Sequence, residues 1–210
     1  PDGKSIAFQS TRDSNVDLCL NNEVWDIWRM PASGGTATRI TRFRGENPAW
    51  SPDGKQIAYD RYSWGYADGE HNLFVIASDG SGMPREIASG EEDSRRPAWQ
   101  GTSIYFAHEA NGFHRSASRN VWKTGEKGGA LVQLTGLRGD HVTWPTTCAA
   151  SDVLVFEYDF DFHSINLKAK APVAPSKLKI TVESPYRDDP KATKAISAGV
   201  KQPSWSRDGT

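Results

Sequence analysis

Short runs of alternating apolar and polar residues, separated by turn residues, follow one another along the whole chain. Residues 48–50 are apolar, residues 51–54 read Ser-Pro-Asp-Gly, and residues 56–59 alternate. In such a turn the proline presets φ, the aspartate can accept a bond from the backbone two residues on, and the glycine accepts a positive φ. This stretch therefore predicts a strand, a turn and a second strand.

The same unit recurs with a period near 50 residues. Ile6, Ile57 and Ile104 occupy equivalent positions, and Asp208 follows Asp2 at a distance close to four periods. Four short strands per period, joined by Gly-rich turns, are typical of a β-propeller blade. The predicted fold class is all-β: a β-propeller fragment of about four four-stranded antiparallel blades in an open arc. The predicted blades are roughly 1–50, 51–99, 100–144 and 145–205, with an insertion at 183–199.

Within the repeats, alternation predicts individual strands and their packing. The predicted strands are 24–30, 36–41, 48–50, 56–61, 71–77, 84–88, 103–107, 120–123, 131–135, 152–158, 163–167 and 178–182. A blade cannot cover both faces of its own sheet, so neighbouring blades must stack. We expect Trp50, Trp99, Trp144 and Trp205 to fill the space between blades.

Composition narrows the function classes. The 210 residues carry a net charge of −1 and a pI near 6.6, so no global field favours nucleic acid or an anionic membrane. Nineteen glycines, 12 prolines and a mean hydropathy of −0.62 fit many turns and half-exposed strands. No apolar run approaches the roughly 18–20 residues that a membrane span requires.

The sequence predicts no catalytic residue, no cofactor-binding residue and no metal ligand. There is no Gly-x-Ser-x-Gly nucleophile elbow, and residues 80–82 (Gly-Ser-Gly) read as a hairpin turn. The histidines are scattered over separate repeats and lack zinc-site spacing: His71, His108, His114, His141 and His163. A propeller can still bring distant residues together around its axis, so a cluster of them stays an alternative.

One acidic stretch superficially resembles a calcium-binding loop. Residues 13–17 read Asp-Ser-Asn-Val-Asp, but Leu18 stands where the loop requires glycine and Val24 where it requires a bidentate glutamate. We therefore interpret it as a connection between strands.

Two loop segments are candidates for partner contact. The first segment carries aromatic and then acidic side chains at every second position: Tyr62, Trp64, Tyr66, Asp68 and Glu70. Aromatic residues in a loop suit binding, although packing on a neighbouring blade is an equal alternative. The second is a charge run that we interpret as a solvated face, with a peptide-terminus anchor at the propeller mouth as the alternative: Glu91, Glu92, Asp93, Arg95 and Arg96.

The cysteines and the N-terminal end of the chain bear on the cellular location of the protein. Cys19 and Cys148 match no metal-binding pattern and are expected to be free thiols, with a single disulfide as the alternative. The chain starts inside a motif, at Pro1, where a serine is expected before the proline. We therefore expect residues to be missing at the N-terminus, and the sequence favours neither a cytoplasmic nor a periplasmic location.

The repeats resemble those of the PD40 (TolB-like) β-propeller family, through residues 51–55, 57–59, 79–80 and 97–99. Residues 120–123 with 128–135, and residues 155–161 followed by 178–182, are similar to the N-terminal propeller of tricorn-type serine peptidases. That resemblance implies a non-catalytic propeller that guides or filters peptides toward a separate peptidase domain and scaffolds an oligomeric parent. No catalytic residue of that family has a matching position here.

The implied partners are a peptide or protein and the remaining blades and peptidase domains of the parent chain, without cofactor, nucleic acid or membrane span. Two alternatives stay open: a TolB-type periplasmic protein-interaction propeller and the propeller of an amidohydrolase.

Overall fold

β-Strands and turns account for all regular structure in the described part of the chain. The computed structural model describes residues 1–12, 24–63, 70–89, 93–109 and 118–181. No helix occurs in these ranges, and hence none long and apolar enough to cross a membrane. The strands are β1 (Ser5–Ser10), β2 (Asp26–Pro31), β3 (Thr38–Arg39), β4 (Glu46–Trp50), β5 (Gln56–Ser63), β6 (Glu70–Ala77), β7 (Arg85–Ala88), β8 (Asp93–Gln100), β9 (Ser103–Glu109), β10 (Asn120–Gly125), β11 (Val132–Gln133), β12 (Thr143–Thr147), β13 (Val153–Tyr158), β14 (Asp161–Asn166) and β15 (Ser176–Lys177).

The strands form four antiparallel sheets in which sequence neighbours pair. Blade 1 is β1-β2-β3, blade 2 is β4-β5-β6-β7, blade 3 is β8-β9-β10-β11 and blade 4 is β12-β13-β14-β15. All four belong to one compact unit, Pro1–Leu178. Strand β8 contacts β4 on one side and β12 on the other, so the first strands of these blades lie side by side. This arrangement confirms the predicted all-β propeller fragment.

A separate apolar core lies between each pair of neighbouring blades. Ile57, Ile104 and Leu154 occupy the same position in three successive blades and are completely buried. Trp99 is 7% exposed and packs with Ala58 and Phe106 between blades 2 and 3. Because each sheet is only one layer thick, its apolar faces leave water only when the next blade covers them.

The Ser-Pro-Asp-Gly turn has the predicted hydrogen bonds. Asp53 Oδ1 accepts from the Lys55 backbone N–H at 3.0 Å and from the Ser51 hydroxyl at 2.7 Å. Ser51 Oγ in turn accepts from the Gln56 N–H at 2.9 Å, and Gly54 adopts a φ of 71°. The turn is therefore stabilised by hydrogen bonds of its own side chains, and a few consecutive residues were enough to predict it.

The prediction for the four tryptophans is confirmed in part. Trp50 and Trp99 pack in the cores between blades, but Trp144 is 56% exposed. The strand register places Thr147, not Trp144, opposite Leu154, where Trp50 lies opposite Ile57 in blade 2. Trp144 therefore lies three residues earlier in its strand than its two counterparts. Trp205 is outside the described residues.

The outer strands are shorter than predicted. The fourth strand of blade 4 is Ser176–Lys177, so the predicted strand at 178–182 is wrong for residues 178–181, which lie outside any strand. In blade 3 the predicted strand 131–135 reduces to Val132–Gln133. An outermost strand pairs on one side only, so its apolar alternation can continue after the pairing has stopped.

Candidate functional site at the propeller axis

The first strand of blades 2, 3 and 4 bends at one unusual residue. Asn47, Arg96 and Trp144 have φ values of 50°, 57° and 51°, and each precedes a proline. The pairing register shifts at the same place in all three strands, which marks a β-bulge. A left-handed conformation is strained for a residue that is not glycine, so the surrounding structure must hold it in place.

Hydrogen bonds from the preceding blade hold two of these residues. The Asn47 backbone N–H donates to Oε1 of Gln9 in blade 1 at 2.8 Å, and the Arg96 N–H donates to Oδ1 of Asp60 in blade 2 at 2.9 Å. Gln9 and Asp60 are equivalent positions of consecutive blades. In blade 3 that position is Ala107, whose side chain cannot accept a hydrogen bond.

The three bent strands enclose a small cleft. It has a volume of about 230 Å³ and is lined by Asn47, Pro48, Arg96, Pro97, Trp144, Pro145 and Thr146. The guanidinium carbon of Arg96 lies 3.9 Å from the centroid of the Trp144 ring. Among the described residues, no carboxylate lies within ion-pair distance of that guanidinium. The cleft therefore offers a charged donor, a flat aromatic surface and rigid proline rings.

A polar cluster lies next to this cleft on one face of blade 2. Glu46 pairs with Asp60 across β4 and β5, and His71 pairs with Tyr62, two residues beyond Asp60. Residues directly opposite and two apart share a face of a sheet, which brings the three ionisable side chains together. His71 Nε2 lies 3.9 Å from Glu46 Oε1 and 4.0 Å from Asp60 Oδ2.

Asp60 is completely buried and its bonded neighbours are neutral amides. Asn47 Nδ2 donates to Oδ1 at 2.9 Å and to Oδ2 at 3.2 Å, in addition to the Arg96 N–H. Burial raises the pKa of Asp60 to about 6, and the charge of His71 and these hydrogen bonds oppose the rise only in part.

Asp93 closes the cluster from blade 3 and has cationic partners. Its carboxylate lies 2.7 Å from Nε of Arg95, 3.0 Å from Nε of Arg119 and 3.4 Å from Nδ1 of His71. Burial by itself would raise the pKa of Asp93, but the contact with His71 at 3.4 Å and the two arginine charges outweigh it and hold that pKa well below its usual range. Asp93 is therefore held ionised.

The charge run that includes Asp93 is not a solvated face where the structure describes it. The side chains of Asp93 and Arg95 are only 14% and 30% exposed and pair with each other. Arg96 turns to the axial cleft instead. Glu91 and Glu92 lie outside the described residues.

In the part of the chain that the structure describes, one serine–histidine pair is present, and it lies in the interior. Ser94 Oγ and His108 Nδ1 are 2.8 Å apart, and each residue is 2% exposed. A nucleophile must reach its substrate, so this buried pair serves packing between strands β8 and β9 rather than acyl transfer.

The loop segment that begins at Tyr62, the first candidate for partner contact, is described only at its start. Tyr62 is half-buried, lies edge-on to His71 at 5.4 Å between ring centroids, and has the Arg44 guanidinium 5.4 Å from its ring. Trp64, Tyr66 and Asp68 are outside the described residues, and Glu70 is described only as the first residue of β6. Partner contact by this loop stays a prediction.

The remaining candidates lie apart from the cluster. His141 Nδ1 accepts from the Arg119 N–H, and His163 stacks on Phe156 in blade 4. Cys148 is an exposed free cysteine. His114, Cys19 and residues 13–17 lie outside the described ranges. Sequence reasoning missed the Glu46–Asp60–His71 cluster, and only the register of β4, β5 and β6 could have revealed it.

The stacked blades and their axial cleft define the class of protein: the chain has a TolB-like β-propeller fold. A TolB-like protein from Agrobacterium tumefaciens has this fold with a TM-score of 0.67 and 20% identity, over 84% of this chain and 61% of that chain. Tricorn protease is similar with a TM-score of 0.45 and 17% identity, over 88% of this chain and 22% of that chain. No protein-family model matches the sequence.

Two curated proteins are similar in sequence. An uncharacterized protein of Agrobacterium fabrum is 30% identical over 146 residues, which are 68% of this chain and 42% of that protein. Dipeptidyl-peptidase 5 of Porphyromonas gingivalis is 25% identical over an alignment of 218 positions, gaps included, which covers 95% of this chain and 30% of that protein. The chain thus spans less than half the length of these relatives.

Proposed function

We propose that this chain is a binding propeller within a larger peptidase-related protein, and that its axial cleft receives a peptide segment. The observation that carries the proposal is the convergence of Asn47, Arg96 and Trp144 at one cleft between three blades. Tryptophan and arginine are the residue types that contribute most to protein and peptide binding. Rigid proline rings beside them reduce the entropy lost on binding.

The electrostatics of the cleft favour a carboxylate on the peptide. The Arg96 guanidinium is half-buried and stacks on Trp144, so its donors are oriented before a ligand arrives. Arg95 and Arg119, in contrast, are already paired with Asp93. A peptide C-terminus or an acidic side chain would supply an ion-pair partner, which Arg96 does not have among the described residues. A cleft of about 230 Å³ suits one such group rather than a folded domain.

The role proposed for the chain is to select or guide peptides rather than to cleave them. Among the described residues, the serine–histidine pair at Ser94 and His108 is sealed from solvent. The similarity to dipeptidyl-peptidase 5 covers 95% of this chain but only 30% of that protein, which leaves ample sequence there for a separate catalytic domain.

Peptide binding can be measured by fluorescence anisotropy with the 210-residue chain. We would compare labelled peptide pools that end in a free carboxylate with the same pools amidated at the C-terminus. We expect the free-carboxylate pool to bind at least about tenfold more tightly. Arg96→Gln and Trp144→Ala should abolish that difference, and Met83→Ala, at a side chain 89% exposed in the turn after β6, should preserve it.

Equal binding of both pools by the unmodified chain, or retained preference in both cleft variants, would rule out this use of the cleft. Peptide hydrolysis by the purified chain that a serine-directed inhibitor blocks would rule out a non-catalytic role.

A TolB-type protein-interaction propeller is the second candidate, supported by the fold similarity to the Agrobacterium tumefaciens protein. It predicts a folded protein partner and no preference between the peptide pools. A parent sequence that continues into further blades without a peptidase domain would favour it.

A further inference from the structure

The geometry of blade 2 points to a binding site for one divalent transition-metal ion of the zinc or manganese type, formed by Glu46, Asp60 and His71. None of its three ligands lines the peptide cleft, and the two sites are joined only by the hydrogen bonds that Asp60 accepts from Asn47 and Arg96. It uses one side chain from each of β4, β5 and β6.

The distances between the ligand atoms fit a shared ion better than direct hydrogen bonds. The three ligand atoms lie within 4.8 Å of one another, and Nε2 of His71 is 3.9 Å and 4.0 Å from the two carboxylates. A hydrogen bond would bring these atoms to about 2.7–3.2 Å. Two ligands placed about 2.0–2.2 Å from a metal at the tetrahedral angle lie about 3.3–3.6 Å apart. Binding an ion therefore requires the two carboxylates to move about 0.3–0.7 Å closer to His71 Nε2.

The burial of His71 supplies an independent reason for an ion at this place. Its side chain is 8% exposed, and Nδ1 has no hydrogen-bond partner in the structure. Nδ1 faces Asp93 Oδ1 at 3.4 Å, and Nε2 is directed at the carboxylates of Glu46 and Asp60. A cation held between these groups would be attracted by both carboxylates.

Asp93 is positioned like the carboxylate that supports a metal-bound histidine in many metal sites. A metal-bound histidine commonly directs its other ring nitrogen at a carboxylate, which fixes the tautomer and the ring orientation. Asp93 also accepts from the His71 backbone N–H at 3.1 Å, and the charges of Arg95 and Arg119 keep it ionised. It therefore serves as a positioning residue rather than a ligand.

Asp60 adds a completely buried carboxylate that forms no ion pair with a lysine or arginine among the described residues. Its hydrogen-bond donors are neutral amides. A bound metal ion would lower the cost of burying this carboxylate.

The other blades show that the fold itself does not require these residues. In blade 3 the positions equivalent to Glu46, Asp60 and His71 are held by Arg95, Ala107 and Arg119, and in blade 4 by Thr143, Glu157 and Phe160. The blade 3 set therefore contains two arginines and no ligand for a metal ion, and the blade 4 set contains a single carboxylate. The complete ligand set thus occurs in blade 2 alone among these three blades.

One nitrogen and two oxygen ligands define the class of ion. Imidazole with carboxylates suits Zn²⁺ and Mn²⁺, whereas Ca²⁺ and Mg²⁺ prefer oxygen alone. The Glu46 side chain is 27% exposed and gives the ion a route from solvent. Three protein ligands leave a coordination position for water.

The test is isothermal titration of the EDTA-treated 210-residue chain with ZnCl₂ and, separately, MnCl₂. We expect one ion per chain for at least one of the two metals. Glu46→Gln and His71→Gln should each weaken binding by about 100-fold or more, since each removes a ligand. Asp93→Asn should weaken it by about 10–100-fold. Glu157→Gln removes the equivalent carboxylate of blade 4 and should bind like the unmodified chain.

Cobalt(II) supplies a second readout that identifies the ligands. The bound ion should show visible d–d absorption without the thiolate charge-transfer band that binding at a cysteine would produce. Glu46 is partly exposed, so Glu46→Gln keeps the test decisive even if His71→Gln fails to fold. Absence of saturable one-to-one binding, or binding that both ligand variants retain, would overturn the proposal.

Discussion

The guanidinium carbon of Arg96 lies 3.9 Å from the ring centroid of Trp144, which joins the first strands of blades 3 and 4 at the axis. Both residues have a left-handed backbone and both precede proline. The contact thus links two strained positions of neighbouring blades, and it stabilises the walls of the cleft.

A double-mutant cycle should detect that link. We expect Arg96→Ala and Trp144→Ala to be coupled by about 0.5–1 kcal/mol in the free energy of unfolding, the usual size of a partly exposed cation–π contact. Urea unfolding of the two single variants and the double variant measures it. Strictly additive effects would mean that the two side chains are neighbours without a stabilising interaction.

The turn glycines Gly80 and Gly82 should differ sharply in their tolerance of a side chain. Both have a positive φ, 78° and 75°, so alanine carries the same backbone cost at each. A Cβ at Gly80 would lie 3.2 Å from the carbonyl oxygen of Ile40 in blade 1, whereas a Cβ at Gly82 meets nothing within 4 Å.

We therefore expect Gly82→Ala to lower the free energy of unfolding by about 1 kcal/mol. Gly80→Ala should lower it by at least about 1 kcal/mol more, because the turn must shift away from blade 1. Thermal or urea unfolding of both variants decides this. Equal losses would show that the contact between the blades adapts without cost.

Blade 2 lacks a buried hydrogen bond that blades 1 and 3 share. Thr41 donates to Asp26 Oδ1 at 2.8 Å, and Thr135 donates to Asn120 Oδ1 at 2.9 Å. The threonine position is Ala88 in blade 2, where the Oδ1 atom of Asn72 is buried without a hydrogen-bond partner.

We expect Ala88→Thr to raise the free energy of unfolding by about 1 kcal/mol, because its hydroxyl would satisfy that oxygen. Urea unfolding measures the gain. Ala88→Val is the matched control, since it adds similar volume without a hydroxyl and should give no gain. A loss in both variants would show that blade 2 has no room for a branched side chain there.

Asp60 should make the stability of the metal-free chain fall as the pH rises from about 4 to 6. Burial raises its pKa to about 6, so the folded chain holds a proton that the unfolded chain, with a carboxyl pKa of about 3.9, has released. The stability that protonated Asp60 contributes is present below pH about 4 and is lost as the pH rises through 6.

Urea unfolding in EDTA, between pH 4 and pH 7, tests this against Asp60→Asn. We expect the asparagine variant to gain on the unmodified chain with rising pH, by up to about 3 kcal/mol at pH 7. The contribution of Asp93 to stability changes with pH in the opposite direction, because its pKa is lowered in the folded chain. That contribution is present above pH about 4 and is lost in acid. Parallel curves for the two proteins would show that Asp60 keeps its ordinary pKa.

Local sequence patterns were sufficient to predict the structure wherever a short segment forms its hydrogen bonds within itself. The turn at residues 51–54 follows from Ser51 and Asp53, and strands such as Gln56–Ser63 follow from alternation. Prediction failed at Trp144, where the Trp-Pro order reverses the usual Pro-x-Trp spacing and shifts the aligned residue by three. A tryptophan has the same hydrophobicity in either place, so composition alone could not detect the shift.

By itself, the sequence determined the architecture: a period near 50 residues, four short strands per period and the turns between them, because alternation and turn chemistry act over a few residues. Only the tertiary structure decided which side chains meet. Glu46, Asp60 and His71 come together through the register of three strands, and the cleft exists because three bent strands from different blades converge. The cluster depends on the register within one sheet, and the cleft depends on how neighbouring sheets twist and stack. No local pattern of polar and apolar residues encodes either of them.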